Sequence, residues 1–248
     1  MKRILFGVLF TLLSLNAEEV YASFFVEPLK DAELALHAGG IVKKVHVNIS
    51  SNVKKGDVLI ELANDDIQAL LNIAKSELTT AEVEYKYALR DYERQEKVKH
   101  LIDEAKFDVY ALAYEKSKAA LEFAKANLAY REALYRKTIL LAPFDGVVYE
   151  KSVEVGDVVT EMSPKTVLKL QSKSERKLVL EFDQKYWQDV KAGDVFRYMV
   201  DGDNTQHRGV ISKVYPHVDK QSRKLRAEVE VTNFTTGLFG DGYIEFKK

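Results

Sequence analysis

The residue types that could do chemistry in this chain are few, and their spacing is unfavourable for it. The five histidines, His37, His46, His100, His207 and His217, stand at no metal-ligand interval such as H-x-x-x-H. Cysteine is absent, which removes thiolate ligands, a thiol nucleophile and any disulfide framework. His46 alternates with valines and reads as a solvent-facing strand position. Asp65-Asp66 is the one close carboxylate pair before a long apolar-periodic stretch, where two acids complement the start of a helix better than they form a catalytic dyad. Asp201-Gly202-Asp203-Asn204 has the acidity of a calcium loop without the downstream glutamate at the right spacing, and reads as a hairpin turn. No nucleophile elbow or phosphate loop is present. The chain therefore reads as non-enzymatic, with no cofactor and no metal site.

At the level of elements, the sequence carries one unit twice. Gly40-Ile41-Val42 with Val47 and Ile49 recurs as Gly146-Val147-Val148 with Val153 and Val155, at a constant offset of 106 positions. Val53-Lys54-Lys55-Gly56-Asp57 and Val153-x-Val155-Gly156-Asp157 carry matching Gly-Asp turn signals. Each half alternates apolar and polar residues, as in Val45-His46-Val47-Asn48-Ile49, and predicts half-buried strands. Neither half has enough apolar surface to stand alone, so the two are expected to pair into one β-sandwich.

Between the halves no glycine occurs from Gly56 to Gly146, and Pro143 is the lone proline. Apolar or small residues recur at Ile67, Leu71, Ala74, Leu78, Ala81, Tyr85, Ala88 and Tyr92, with steps of four and three. A second seam runs through Tyr110, Tyr114, Ser117, Leu121, Ala124, Leu128 and Tyr135. Asn64-Asp65-Asp66 is expected to cap the first helix, the seam lapses over Lys97–Ile102, and Asp103 can cap the second. Two antiparallel helices, about 64–100 and 103–138, would each extend roughly 50 Å.

After Ser172 the texture changes to strands: Lys177–Phe182, Val195–Val200, His207–Ile211 and Leu225–Val231, with a short helix over Asp183–Val190. These predict a small β-barrel, joined by a strand from about residues 24–38. Trp187 beside Tyr186 reads as the core of the short helix, with an interface role as the alternative. At the other end, Met1-Lys2-Arg3 followed by apolar Ile4–Leu15 reads as a secretory signal peptide, cleaved after Ala17 or, better, after Ala22; an uncleaved anchor is the alternative. A net charge of −1 leaves no basic field for nucleic acid. An exported chain without cysteine fits the periplasm of a Gram-negative envelope.

Taken together, the fold class is multidomain α+β, and the chain resembles the periplasmic adaptor, or membrane-fusion (haemolysin-D-like), family over about residues 24–246. The residues that carry the resemblance are Gly40-x-Val42 to Leu62, Ala142-Pro143-Phe144-Asp145-Gly146-Val147-Val148, Val155-Gly156-Asp157-Val158-Val159, Lys191-Ala192-Gly193-Asp194-Val195, Gly209-Val210-Ile211 and Val214-x-Pro216-x-Val218-Asp219. The resemblance implies a lipoyl-like domain (37–63 with 140–171) split by an α-helical hairpin (64–139), a β-barrel (24–36 with 172–248) and a leader (1–22). The sequence departs from the family's pattern in ending soon after the barrel, so a full membrane-proximal domain is expected to be missing. Such adaptors link an inner-membrane transporter to a TolC-like outer-membrane channel as a homo-oligomeric ring. The efflux systems of the resistance-nodulation-division type place an Arg-x-x-x-Leu-x(6)-Ser pattern at the hairpin tip. Here Arg94 fits, Val98 stands in the leucine position, and Asp103 is the nearest candidate for the serine, two positions early. These three are the expected partner-binding residues. The adaptor of an ATP-driven secretion system is the alternative. A biotin or lipoate carrier is a further one, against which Lys54 and Lys55 lack a Met-Lys-Met or Asp-Lys-Ala context.

Overall fold

The computed structural model describes residues 18–162 and 165–246; residues 1–17, the bulk of the expected leader, lie outside them. In chain order β1 (Glu18–Pro28) and β2 (Asp31–Leu34) precede β3 (Gly40–Val45), β4 (Asn52–Val53) and β5 (Val58–Leu62). Helices α1 (Asp65–Lys97) and α2 (Glu104–Lys137) follow, separated by a 3-10 turn over Lys99–Leu101. The return comprises β6 (Ile139–Leu141), β7 (Gly146–Lys151), β8 (Val158–Val159) and β9 (Leu168–Ser172). Strands β10 (Glu175–Asp183), β11 (Val195–Val200), β12 (His207–Val218), β13 (Lys224–Thr232) and β14 (Phe239–Phe246) complete the chain. The described residues divide into two compact units, 32–170 and 18–31 with 171–246. Among the described residues no helix is long and apolar enough to cross a membrane.

In the unit 32–170 the repeated halves exchange strands. One sheet runs β2-β9-β7-β4 and the other β6-β5-β3-β8, so β4 of the first half sits beside β7 and β8 of the second half beside β3. The hydrogen bonds obey the sequence offset. Gly156 N–H donates to Val42 O (2.9 Å) as Ser50 N–H does to Val148 O (2.7 Å), and Val42 N–H donates to Asp157 O as Val148 N–H does to Ser51 O. Leu59, Ile60, Leu62, Val148, Leu168 and Leu170 fill the space between the sheets. The strand expected over Val45–Ile49 is not formed: β3 ends at Val45, His46–Asn48 run without regular structure into a turn at Ile49-Ser50, and Ile49 is exposed.

A single kind of four-residue turn recurs. Asp57 Oδ2 accepts from Lys54 N–H, Asp157 Oδ2 from Glu154 N–H, and in the other unit Asp194 Oδ2 from Lys191 N–H. The third residue of each is a glycine with φ between 90° and 99°, a conformation that glycine alone adopts without steric cost. Asn48–Ser51 makes the same turn with Ser51 Oγ as acceptor (2.9 Å) and Ser50 at φ 70° in the glycine position.

The two helices pack along the expected seams, with Leu71, Ala74, Ala81, Leu121 and Ala124 buried and Phe107 prolonging the second seam towards the turn. The cap expected from Asn64 is not made. Its φ of −141° and ψ of 21° lie outside the extended conformation usual for an N-cap, and Asn64 Nδ2 donates instead to Thr138 Oγ1 at 3.0 Å. Thr138 is buried and also accepts Leu62 N–H at its carbonyl (2.9 Å). Lys43 Nζ meets Asp65 Oδ1 at 2.8 Å. The start of α1 and the end of α2 are thus tied to each other and to the sheet.

The second unit is a closed barrel of order β1-β10-β13-β12-β11-β14. Its inward rows supply Phe24, Leu178, Leu180, Phe182, Phe196, Val229, Ile244 and Phe246. Residues 18–22, on the leader side of the Ala22 cleavage position, form the first half of β1, with Val20 and Ala22 fully buried. Asp31–Leu34 joins a sandwich sheet, not the barrel. The region 183–190 is a 3-10 turn over Gln184–Tyr186. There Tyr186 and Val190 pack on the core while Trp187 is 64% exposed. So short a turn presents one face inward, and Trp187 falls on the other.

Candidate functional site

The turn between the helices is built by backbone satisfaction. Helix α1 ends at Lys97 and is capped by Val98, whose N–H bonds to the carbonyls of Gln95 and Glu96. Leu101 N–H donates to Val98 O at 2.8 Å, closing the 3-10 turn, and Ile102 then runs extended. Asp103 has the extended conformation of an N-cap, and its Oδ1 accepts from Ala105 N–H at 2.9 Å. Arg94 and Lys97 in the last turn of α1, and Glu104 in the first turn of α2, complement the helix dipoles.

Beneath the turn lies an aromatic layer. Tyr92 stacks on Tyr114 with ring centroids 5.0 Å apart and meets Phe107 at 5.6 Å; Tyr85 reaches Tyr114 at 5.9 Å. Lys99 Nζ sits 4.4 Å over the Phe107 ring. A hydrogen bond with Tyr85, then burial, push the Tyr114 phenol up, so it stays a neutral donor. The tip is therefore held by packing as well as by caps.

Of the three residues expected at the tip, Arg94 and Val98 lie one helical turn apart on α1 and are exposed. Arg94 Nη1 reaches Asp91 Oδ1 at 3.4 Å, an exposed pair that leaves the guanidinium available. Asp103 is different: one carboxylate oxygen is committed to the cap, so its first role is to shape the turn. Sequence reasoning missed Leu101, which is 74% exposed at the apex. Its signal was an aliphatic residue standing in the stretch where the seam lapses.

The other polar candidates are locally satisfied. His46 Nε2 pairs with Glu61 Oε1 at 2.9 Å, and His207 Nε2 with Asp203 Oδ2 at 3.2 Å. Hydrogen bonds from Thr205 and His207 hold Asp203 below the usual carboxylate range, and the turn Asp201–Asn204 links β11 to β12. Among the described residues no three His, Asp or Glu side chains gather as a metal site would require. Lys54 and Lys55 use their backbone N–H groups in the turn, on Asp57 Oδ2 and on Asp145 Oδ1.

Comparison with known proteins matches this arrangement. The family profile of the CzcB-like, barrel-sandwich hybrid domain matches residues 30–168. The cobalt-zinc-cadmium resistance protein CzcB of Cupriavidus metallidurans is 26% identical over 221 residues, covering 85% of this chain and 41% of that protein. The chain thus spans under half the length of that relative. A MacA–MexA chimera containing the Pseudomonas aeruginosa MexA α-hairpin superposes with a TM-score of 0.70 at 23% identity, over 94% of this chain and 83% of that one. The membrane fusion protein Spr0693 of Streptococcus pneumoniae does so with a TM-score of 0.70 at 12% identity, over 92% and 100%. At those identities the structural likeness speaks to the fold, and it is the profile match over more than half the chain that decides membership. The chain belongs to the CzcB-like, barrel-sandwich hybrid domain family.

Proposed function

We propose that this protein is a non-enzymatic periplasmic adaptor of a tripartite efflux pump of the resistance-nodulation-division type. In that role it bridges an inner-membrane transporter to a TolC-like outer-membrane channel as one subunit of a ring. The strand-exchanged body is lipoyl-like, split by the arm it carries. The observation that carries the proposal is the hairpin. Two helices of 33 and 34 residues bury only their mutual seam and end in a braced turn that presents Arg94, Val98 and Leu101 to solvent. In this role the tip supplies reach and contact, while the transporter supplies energy.

The double variant Arg94→Asp/Val98→Asp should abolish export at unchanged folding and periplasmic level, because it places two acids on the exposed tip face. Cobalt, zinc and cadmium are the first cargoes to assay, since the curated relative is named for them. A photo-reactive residue at position 101 should capture the outer-membrane channel in living cells. Normal export by the double variant would refute the tip assignment.

A further inference from the structure

Residues Glu18–Ala22 are claimed twice, once by the expected leader and once by the barrel. Register pairs Glu18 with Phe246, Val20 with Ile244 and Ala22 with Gly242. Val20 and Ala22 are 1% and 0% exposed in the barrel core, while Glu19 and Tyr21 face outward. The outward pair is held as well: Arg197 Nη2 donates to Glu19 Oε1, and the Tyr21 ring meets Tyr243 edge to face at 5.9 Å. Of this stretch Ala22 alone is in register with β10, opposite Phe182, so the residues before it rest on β14.

Cleavage after Ala22 would remove all of this. A chain starting at Ser23 loses Val20 and Ala22 from the core and leaves Gly242–Glu245 with β11 as their one strand partner. The ring that β1 closes between β10 and β14 would open along that stretch. Unpaired N–H and C=O groups would line the new edge, and Ile244 and Phe246 would lose apolar cover. The small side chain that makes Ala22 resemble a cleavage position has its own cause, since it points into the packed core in one row with Val20 and Phe24. Ala17 is the other small residue, just beyond the apolar run Ile4–Leu15 and directly before the strand. That run is also well short of the roughly 20 apolar residues of a membrane-spanning helix, which favours removal over retention as an anchor.

We propose that the export peptidase hydrolyses the Ala17–Glu18 bond, so that the mature chain begins at Glu18 and keeps β1 whole. Water adds across the amide: the leader departs with the carboxylate of Ala17, and Glu18 takes the new amino group. No other co-reactant is needed. The peptidase meets an extended chain before the barrel forms, so sequence makes the choice; the strand register decides which choice leaves a barrel that closes. The inference rests on reading residues 1–15 as a secretory leader.

The test uses the full chain, expressed in a Gram-negative host and recovered separately from periplasm and membranes. N-terminal sequencing and intact mass should give a periplasmic chain that starts at Glu18. A start at Ser23 overturns the proposal while sparing the leader reading, and a chain that keeps Met1 in the membrane overturns both. In pulse-labelled cells Ala17→Leu should lose processing and accumulate as precursor, because a bulky residue replaces the small one at the cleavage position. Ala22→Leu should be processed like wild type whatever it does to folding; the reverse pattern overturns the proposal. A second arm fuses an unrelated cleavable leader directly to Glu18 or to Ser23. The Glu18 protein should match the thermal midpoint of the natural product, and the Ser23 protein should melt lower by about 10 °C or more. Equal midpoints would mean that the barrel does not need Glu18–Ala22, and the proposal would fail.

Discussion

At the scale of single residues, the strongest electrostatic setting lies on the barrel wall. Glu228 is nearly buried; Lys177 Nζ donates to its Oε1 at 2.7 Å, Tyr215 OH at 2.5 Å, and Lys213 Nζ to Oε2 at 3.3 Å. Burial alone would push this carboxyl up. The bonds from Lys177 and Tyr215, with the Lys177 charge, outweigh it and hold the group at about 2, against an ordinary 4.5. A depressed carboxylate stabilises the fold above its unfolded pKa and loses that contribution as pH falls through the folded one. Between pH 4.5 and 2 the wild type should therefore lose on the order of 3 kcal/mol more than Glu228→Gln. Denaturant titrations at a series of pH values measure the difference, and parallel profiles for the two proteins would refute it. None of this is visible in sequence. The three donors come from β10 and β12, and only the strand register brings them to one carboxylate on β13.

At the scale of elements, local signals were legible and tertiary ones were not. Asp103 caps α2 as its sequence context predicts, because its extended backbone sets the carboxylate beside the first N–H groups of the helix. Asn64, in an equally favourable context, gives its amide to Thr138, 74 residues away, and the helix start loses its cap to that tie. The repeat was legible down to hydrogen bonds, since the offset of 106 carries Ser50 onto Gly156 and Ser51 onto Asp157. That equivalence makes Ser50 testable. A non-glycine residue in the left-handed region costs roughly 1–2 kcal/mol, and glycine returns part of this as chain entropy, up to about 1 kcal/mol. Ser50→Gly should thus stabilise the sandwich by about 0.5–1 kcal/mol, and Gly156→Ser should destabilise it by a similar amount. Opposite shifts of the thermal midpoint in the two variants are the expected readout. A loss of stability in Ser50→Gly would mean that the Ser50 side chain contributes more than its backbone costs.

At the scale of the whole molecule, the order of parts follows from the sequence, whereas closure does not. The barrel is sealed by β1 against β14, pairing Glu18 with Phe246 and Phe25 with Phe239 across almost the full chain. Strand patterns identify each member of such a pair but not its partner, so the earlier start of β1 and the outward Trp187 emerge only once the ring is closed. The arm is the opposite case: its seams are local, antiparallel and periodic, and sequence alone describes them well. That periodicity permits a test of reach separate from a test of fold. Tyr85 faces Tyr114, and Leu78 packs with Leu121, so residues 78–84 lie opposite 115–121. Removing both heptads keeps the alternation of three and four on each helix and leaves the tip and the base ties intact, while shortening the arm by about 10 Å. The shortened protein should fold cooperatively, retain the transporter and lose export, because the tip no longer meets a channel at fixed distance. Removing four residues from one helix alone should instead break the seam and lower the melting temperature. Full export by the two-heptad deletion would show that the length of the arm is not what the adaptor supplies.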